Sequence, residues 1–149
     1  MRRLIAIIAI LTILIGCLTA QADEQEYFVI CNPESYVWVR RSPKKASQEE
    51  GYLEIGDSVW SKGEKRNGFL KVYADGIEGW VFKGYLIETP PTVDKHTATV
   101  VSNARVACRR YVNGSKQGWV KNGQEVMVYA EGDGWAVTNK GFVKAEYLE

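Results

Sequence analysis

One histidine, three cysteines, two methionines and four prolines in 149 residues leave this chain little with which to do chemistry. A Cys–His nucleophile pair would have His96 as its only base, and His96 stands in a proline-containing stretch away from either strand-like cysteine, Cys31 or Cys108. Zinc asks for about four converging Cys, His or carboxylate ligands, and here they are scattered. A Gly-x-x-x-x-Gly-Lys-Ser/Thr phosphate loop is missing as well. These gaps exclude the usual nucleophilic, metal and phosphate chemistries, so no enzyme, metal or cofactor is expected. Also missing is any sustained helical period. Short runs of Val, Ile, Tyr, Trp and Thr broken by Gly, Asn, Asp and Lys are the pattern of strands and tight turns.

An excess of charge of one sign is lacking too, because the whole chain carries a formal +1. Without Arg2 and Arg3, the 19 basic residues fall to 17 against 18 acidic ones, a net charge of −1. Nucleic acid is therefore not an expected partner, since a binder shows a basic stripe for phosphates. The pairs Arg40-Arg41, Lys44-Lys45 and Arg109-Arg110 read as solvated loop ends, as do the carboxylates Glu49, Glu50, Glu131 and Asp133.

The one long apolar run is at the start. Met1-Arg2-Arg3 is a positive n-region, and Leu4 to Ile15 is apolar apart from Thr12, the pattern of a signal peptide over residues 1–22. As a helix to Leu18 it would span roughly 22 Å, short of the roughly 30 Å hydrocarbon core a permanent span must cross. Two processing routes compete. Ala20-Gln21-Ala22 suits ordinary cleavage before Asp23, whereas Leu14-Ile15-Gly16-Cys17 has the form of a lipobox in which Cys17 would be acylated. Either route exports the chain to the periplasm or envelope, with contact to the membrane only through that lipid. In an oxidising compartment Cys31 and Cys108 could pair. Cys108, however, alternates with Val106 as a core residue would, and the unpaired reading is favoured.

With 46% hydrophobic and 25% charged residues, the remainder has the composition of a folded domain. It also repeats itself. Val37-Trp38-Val39-Arg40-Arg41 overlays Val106-Ala107-Cys108-Arg109-Arg110, and Gly51 to Val59 overlays Gly118 to Val126. Asn67-Gly68-Phe69 then matches Asp133-Gly134-Trp135, a hairpin signal entering an aromatic strand. Each copy closes alike, Gly79-Trp80-Val81 through Tyr85-Leu86 against Gly141-Phe142-Val143 through Tyr147-Leu148. Expected strands in the first copy are Tyr27 to Cys31, Tyr36 to Arg40, Asp57 to Lys62, Gly68 to Tyr73 and Gly79 to Phe82. The units read as 27–88 and 98–149, joined by a linker over 89–97 that Pro90-Pro91 stiffens. Nothing is left over for a third unit. Copies this small bury little more than half of their unfolded surface, so one is expected to dock on the other.

The ordered set Val-x-Val-Arg, Gly-x-Leu-x-x-Gly-x-x-Val, Asn/Asp-Gly-aromatic and Gly-aromatic-Val ending in Tyr-Leu resembles the bacterial SH3 (SH3b) family, twice over. Copy two departs from it at Ala107-Cys108 and lacks the proline that copy one has as Pro43; copy one has Phe69 where the family commonly has Trp. The resemblance implies an all-β protein of two small SH3-like barrels in tandem and a role in recognition, with peptidoglycan, its peptides or a protein as partner. It implies that Phe69 and Trp135, and Tyr85 and Tyr147, flank peptide grooves. The alternative for these rings is that they cap the barrel cores. Trp38, sent outward by the alternation of Val37 and Val39, is a ligand contact or, as favoured here, an inter-barrel contact. The expected function is an exported, non-catalytic binding module; its rival is a structural or adaptor protein of the envelope with no small ligand.

Overall fold

A computed structural model describes residues 23–149. The expected signal peptide and the Cys17 lipidation site lie outside the described residues. Among the described residues there is no α-helix; the fold is all-β. Its strands are β1 (Gln25–Val29), β2 (Val37–Arg40), β3 (Glu49–Leu53), β4 (Ser58–Ser61), β5 (Lys65–Arg66), β6 (Phe69–Ala74), β7 (Ile77–Phe82), β8 (Leu86–Ile87), β9 (His96–Thr99), β10 (Val106–Arg109), β11 (Lys116–Val120), β12 (Glu125–Gly132), β13 (Trp135–Thr138) and β14 (Gly141–Lys144).

These strands form two sheets with one topology. The first runs β3-β2-β7-β6-β4-β1-β8, with β5 beside β6, and the second runs β11-β10-β14-β13-β12-β9. Removing β5 and β8 makes the two orders identical. Where β8 pairs with β1, the second copy has a single bridge between Val100 and Leu148. Each sheet bends at the same place, a register shift after Val39 in β2 and after Cys108 in β10. A bulge there turns the strand from one neighbour to the next. The following arginine is paired to both neighbours, Arg40 to Glu49 and Trp80, Arg109 to Lys116 and Phe142.

These arginines are structural rather than solvated loop ends. Arg40 Nη1 donates to the Ser47 carbonyl at 2.9 Å, and Arg109 Nη1 to the Gly114 carbonyl at 2.8 Å, each closing the loop that follows its own strand. Close backbone approach dictates the glycine opposite. A Cβ on Gly79 would lie 2.9 Å from the Arg40 carbonyl oxygen, and one on Gly141 would lie 2.8 Å from the Arg109 carbonyl oxygen. The hairpins have the expected turn chemistry, since Asn67-Gly68 and Asp133-Gly134 all have positive φ, as the two central residues of a type I′ turn require.

Alternation fills each barrel with aliphatic residues: Val29, Val37, Val39, Val59, Leu70, Val72 and Val81 in the first, Val100, Val106, Val120, Val126, Val128 and Val143 in the second. Cys31 and Cys108 are free, buried, and each in its own barrel's core. A third core joins the barrels. Ile30 and Ile87, with Phe28 and Ile55 at its edge, come from the first; Ala130, Trp135, Val137 and Phe142 come from the second. This explains why β13 is buried at every position: Ala136 faces its own barrel while Trp135 and Val137 face the other. A register shift between Val128 and Ala130 turns Ala130 into the shared core as well.

The linker is fastened by hydrogen bonds. Asp133 accepts from the Glu88 backbone N–H at 2.7 Å and from the Thr89 hydroxyl, and Thr92 exchanges backbone bonds of 2.8 and 2.9 Å with Glu131. His96, expected in the linker, instead begins β9 opposite Val128. The eight-residue β12 pairs with β13 on one side and with β9 on the other, so the backbone groups of His96–Thr99 find partners within the second sheet.

Candidate functional site

A cleft of about 700 Å³ opens where the barrels meet. Its floor is aromatic. Phe69 from β6, Phe82 from the end of β7 and Tyr85 from the one-turn helix after it lie ring against ring, with centroids 5.5 Å apart for Phe69–Phe82 and 6.0 Å for Phe82–Tyr85. Into this group comes Tyr111 of the second barrel, 4.7 Å from Phe82 and 6.0 Å from Tyr85. Gly84 admits it: a Cβ there would sit 2.8 Å from Tyr111 Cγ. The adjacent Val112 N–H donates to the Gly84 carbonyl at 3.0 Å and fixes the inserted loop. Tyr111 takes the place of Ser42 in the internal repeat, so the second copy carries an aromatic plug that the first lacks.

The wall on the first barrel is made by Tyr36 and Trp38, which remain 56% and 39% exposed. Tyr52, directly across from Trp38 in the β2–β3 register, holds both rings, 4.8 Å from Tyr36 and 6.2 Å from Trp38. The opposing wall is the Thr138–Gly141 turn with Gln117, whose amide donates to the Lys140 carbonyl at 3.0 Å. Lys45, Arg110 and Lys140 also line the cleft.

The five residues expected to bind ligand thus have different fates. Phe69 and Trp135 are each 5% exposed. Trp135 belongs to the shared core, where Ile30 and Ile87 cover it, and is no groove residue in this arrangement. Phe69 and Tyr85 line the cleft as its floor, with Tyr111 already seated against Tyr85. Tyr147 packs on its own barrel's core. Trp38 lines the cleft from the first barrel and is absent from the shared core, so the inter-barrel packing favoured for it is not its place. Tyr36, Tyr52, Phe82 and Tyr111 were not singled out from sequence. Tyr111 had a signal, an aromatic residue in a polar loop where the first copy has serine.

Cys31 also lines the cleft, and its state can be read from its surroundings. Burial, with smaller contributions from Asp57 and Glu54, pushes its thiol up to about 11. Its hydrogen-bond partner is the Ser35 carbonyl, at 3.8 Å, and a carbonyl takes no proton from a thiol. The Cys108 thiol is raised as well, by burial. A reactive cysteine requires the opposite shift. Burial raises the Tyr85 phenol too, partly offset by Arg110.

Comparison with known proteins adds little to this geometry. Neither a known family nor a curated protein matches the sequence. Among solved structures, NlpC1 and NlpC2 from Trichomonas vaginalis are similar at TM-scores of 0.41, with 17% and 15% identity over 88% and 87% of this chain. The chain spans 47% and 49% of the length of those two proteins.

Proposed function

We propose that the protein is an exported, non-catalytic binding module that holds peptide-like ligands of the cell wall in the cleft between its two barrels. The observation that carries this reading is the exposed pair Tyr36 and Trp38 above an aromatic floor. Flat, rigid rings pack against an extended peptide at little entropic cost, and a cleft of this volume is of the size small ligands occupy. The resemblance to bacterial SH3 domains, and the signal-peptide pattern of residues 1–22, support the wall as the place of action. The raised Cys31 thiol supports binding over nucleophilic chemistry.

The test is a pull-down with insoluble peptidoglycan, comparing wild type, Tyr36→Ala/Trp38→Ala and Trp60→Ala. Trp60 is an exposed tryptophan on β4 that does not line the cleft. Retention of wild type and Trp60→Ala, with at least a tenfold loss for the double variant, is expected; each factor of ten is about 1.4 kcal/mol. Equal retention of all three would move the site elsewhere. A second reading, an envelope adaptor with no small ligand, draws on the use of Trp135 and Tyr111 for docking rather than for binding, and it predicts no retention of any of them.

A further inference from the structure

The charge around the cleft is one-sided. Arg40, Lys45, Arg110 and Lys140 line it, and no aspartate or glutamate does. Arg40 is committed, bonded to the Ser47 carbonyl and 3.4 Å from Glu49. The other three enter none of the ion pairs found among the described residues, whereas Arg41, Lys62 and Lys71 each have a glutamate partner. In a protein whose described part is close to neutral, three unneutralised cations around a single concavity set up a positive field where a ligand must enter.

Resting on the binding reading above, we propose that the cleft selects its peptide by free carboxylates, which meet Lys45, Arg110 and Lys140 while Tyr36 and Trp38 pack on the chain between them. The rest of the lining favours a peptide carboxylate over a phosphate. Asn32, Ser35 and Asn139 offer the amides and a hydroxyl that peptide groups pair with. The cations come from three separate loops, 41–48, 110–115 and 139–140, and so are spread around the rim as the separate carboxylates of one peptide would require. The two lysines act as point charges, and the selection is accordingly sensitive to salt.

The experiment uses peptidoglycan treated with hydrofluoric acid to strip phosphate polymers, and the same material after its carboxylates are converted to amides with carbodiimide and ammonia. Expected are full retention on the acid-treated wall and at least a tenfold weaker retention on the amidated wall. Lys45→Glu/Lys140→Glu should weaken binding to the acid-treated wall roughly tenfold, about 1.4 kcal/mol, with Lys62→Glu unchanged and all variants melting like wild type. Equal retention on native and amidated walls would overturn carboxylate selection and leave wall binding standing. Retention lost on acid treatment alone would assign the charge to phosphate and overturn it too. Retention on none of the walls would remove the binding reading, and this inference with it.

Discussion

The two barrels share a strand order, a bulge, a loop-closing arginine and a corner glycine, yet residues at equivalent positions do opposite things. On the face that closes the first barrel, Phe28, Ile30, Ile55 and Ile87 are apolar and enter the shared core. The corresponding residues of the second barrel are Thr99, Val101, Asn122 and Glu149, and Val101 is exposed. On the sheet face of β13 the inequality reverses. Val137 of the second barrel packs in the shared core, while its counterpart Lys71 is held by Glu78 at 2.7 Å and by Glu64 at 3.7 Å. Each barrel is therefore apolar on one of two complementary faces and polar on the other. Docking is heterologous, and such contacts continue into filaments unless something stops them. Here the equivalent face of the second barrel carries Thr99, Asn122 and Glu149 and that of the first carries the paired Lys71, so neither repeats the apolar contact.

The largest expected effect comes from exchanging those faces one residue at a time. Ile30→Asp would place a carboxylate in an apolar core among Trp135, Val137 and Phe142, with no cation in the cluster. A buried, unpaired charge of this kind costs several kcal/mol, here about 3–5 kcal/mol by urea unfolding. Val101→Asp, at the equivalent but exposed position, should stay within about 0.5 kcal/mol of wild type. Similar losses for the two variants would mean that the barrels do not dock through this face in solution.

A smaller effect is expected at the linker. Asp133 and Asn67 occupy the same position of the same type of turn, with φ of 48° and 52°. Both residue types tolerate that conformation, but only Asp133 reaches across to the Glu88 N–H and the Thr89 hydroxyl. Asn67 stays within its own barrel, donating to the Pro43 carbonyl at 3.3 Å. Asp133→Asn keeps the turn and leaves one carbonyl oxygen in place of a charged acceptor. It should cost about 1 kcal/mol, with faster amide exchange at Glu88, whereas Asn67→Asp should leave exchange at Glu88 unchanged. No change at Glu88 in Asp133→Asn would show that the turn alone positions the linker.

How much of this was legible in sequence depends on whether a residue's role is set within its own copy. Repeat signals such as Asn67-Gly68, Asp133-Gly134 and the Val37/Val39 alternation obey local rules, and β2, β4, β6 and β7 fall within two residues of their expected bounds. β3 was not among the strands expected of the first copy, and β11 is its counterpart in the second. Glu-Glu-Gly-Tyr-Leu and Lys-Gln-Gly-Trp-Val are edge strands with one buried residue apiece, so alternation has little to register. The site was less legible. Aromatic residues that close a groove and those that form a docking core have the same composition, and only the second barrel's placement separates Trp135 from Trp38. The cleft's floor and far wall come from different copies, which no within-copy pattern brings together.

The smallest effect concerns the aromatic wall itself. In the first barrel Tyr36, Trp38 and Tyr52 stand uncovered; their counterparts are Arg105, Ala107 and Trp119. Arg105 and Lys116 each lie 4.3 Å from the Trp119 ring centroid, so in the second barrel cations flank a ring that is itself 45% exposed, where the first barrel has neighbouring aromatic rings. An exposed cation–π contact contributes about 0.5–1 kcal/mol. Arg105→Ala should therefore lower stability by no more than about that amount, while Trp119 fluorescence becomes more accessible to a neutral quencher such as acrylamide. If uncovered aromatic surface were sufficient for wall binding, Arg105→Ala would also raise retention on peptidoglycan. No increase is expected, because Trp119 lies outside the inter-barrel cleft and has no opposing wall to close a ligand against. An increase comparable to the loss in Tyr36→Ala/Trp38→Ala would show that exposed rings suffice and that the cleft between the barrels is not what selects the ligand.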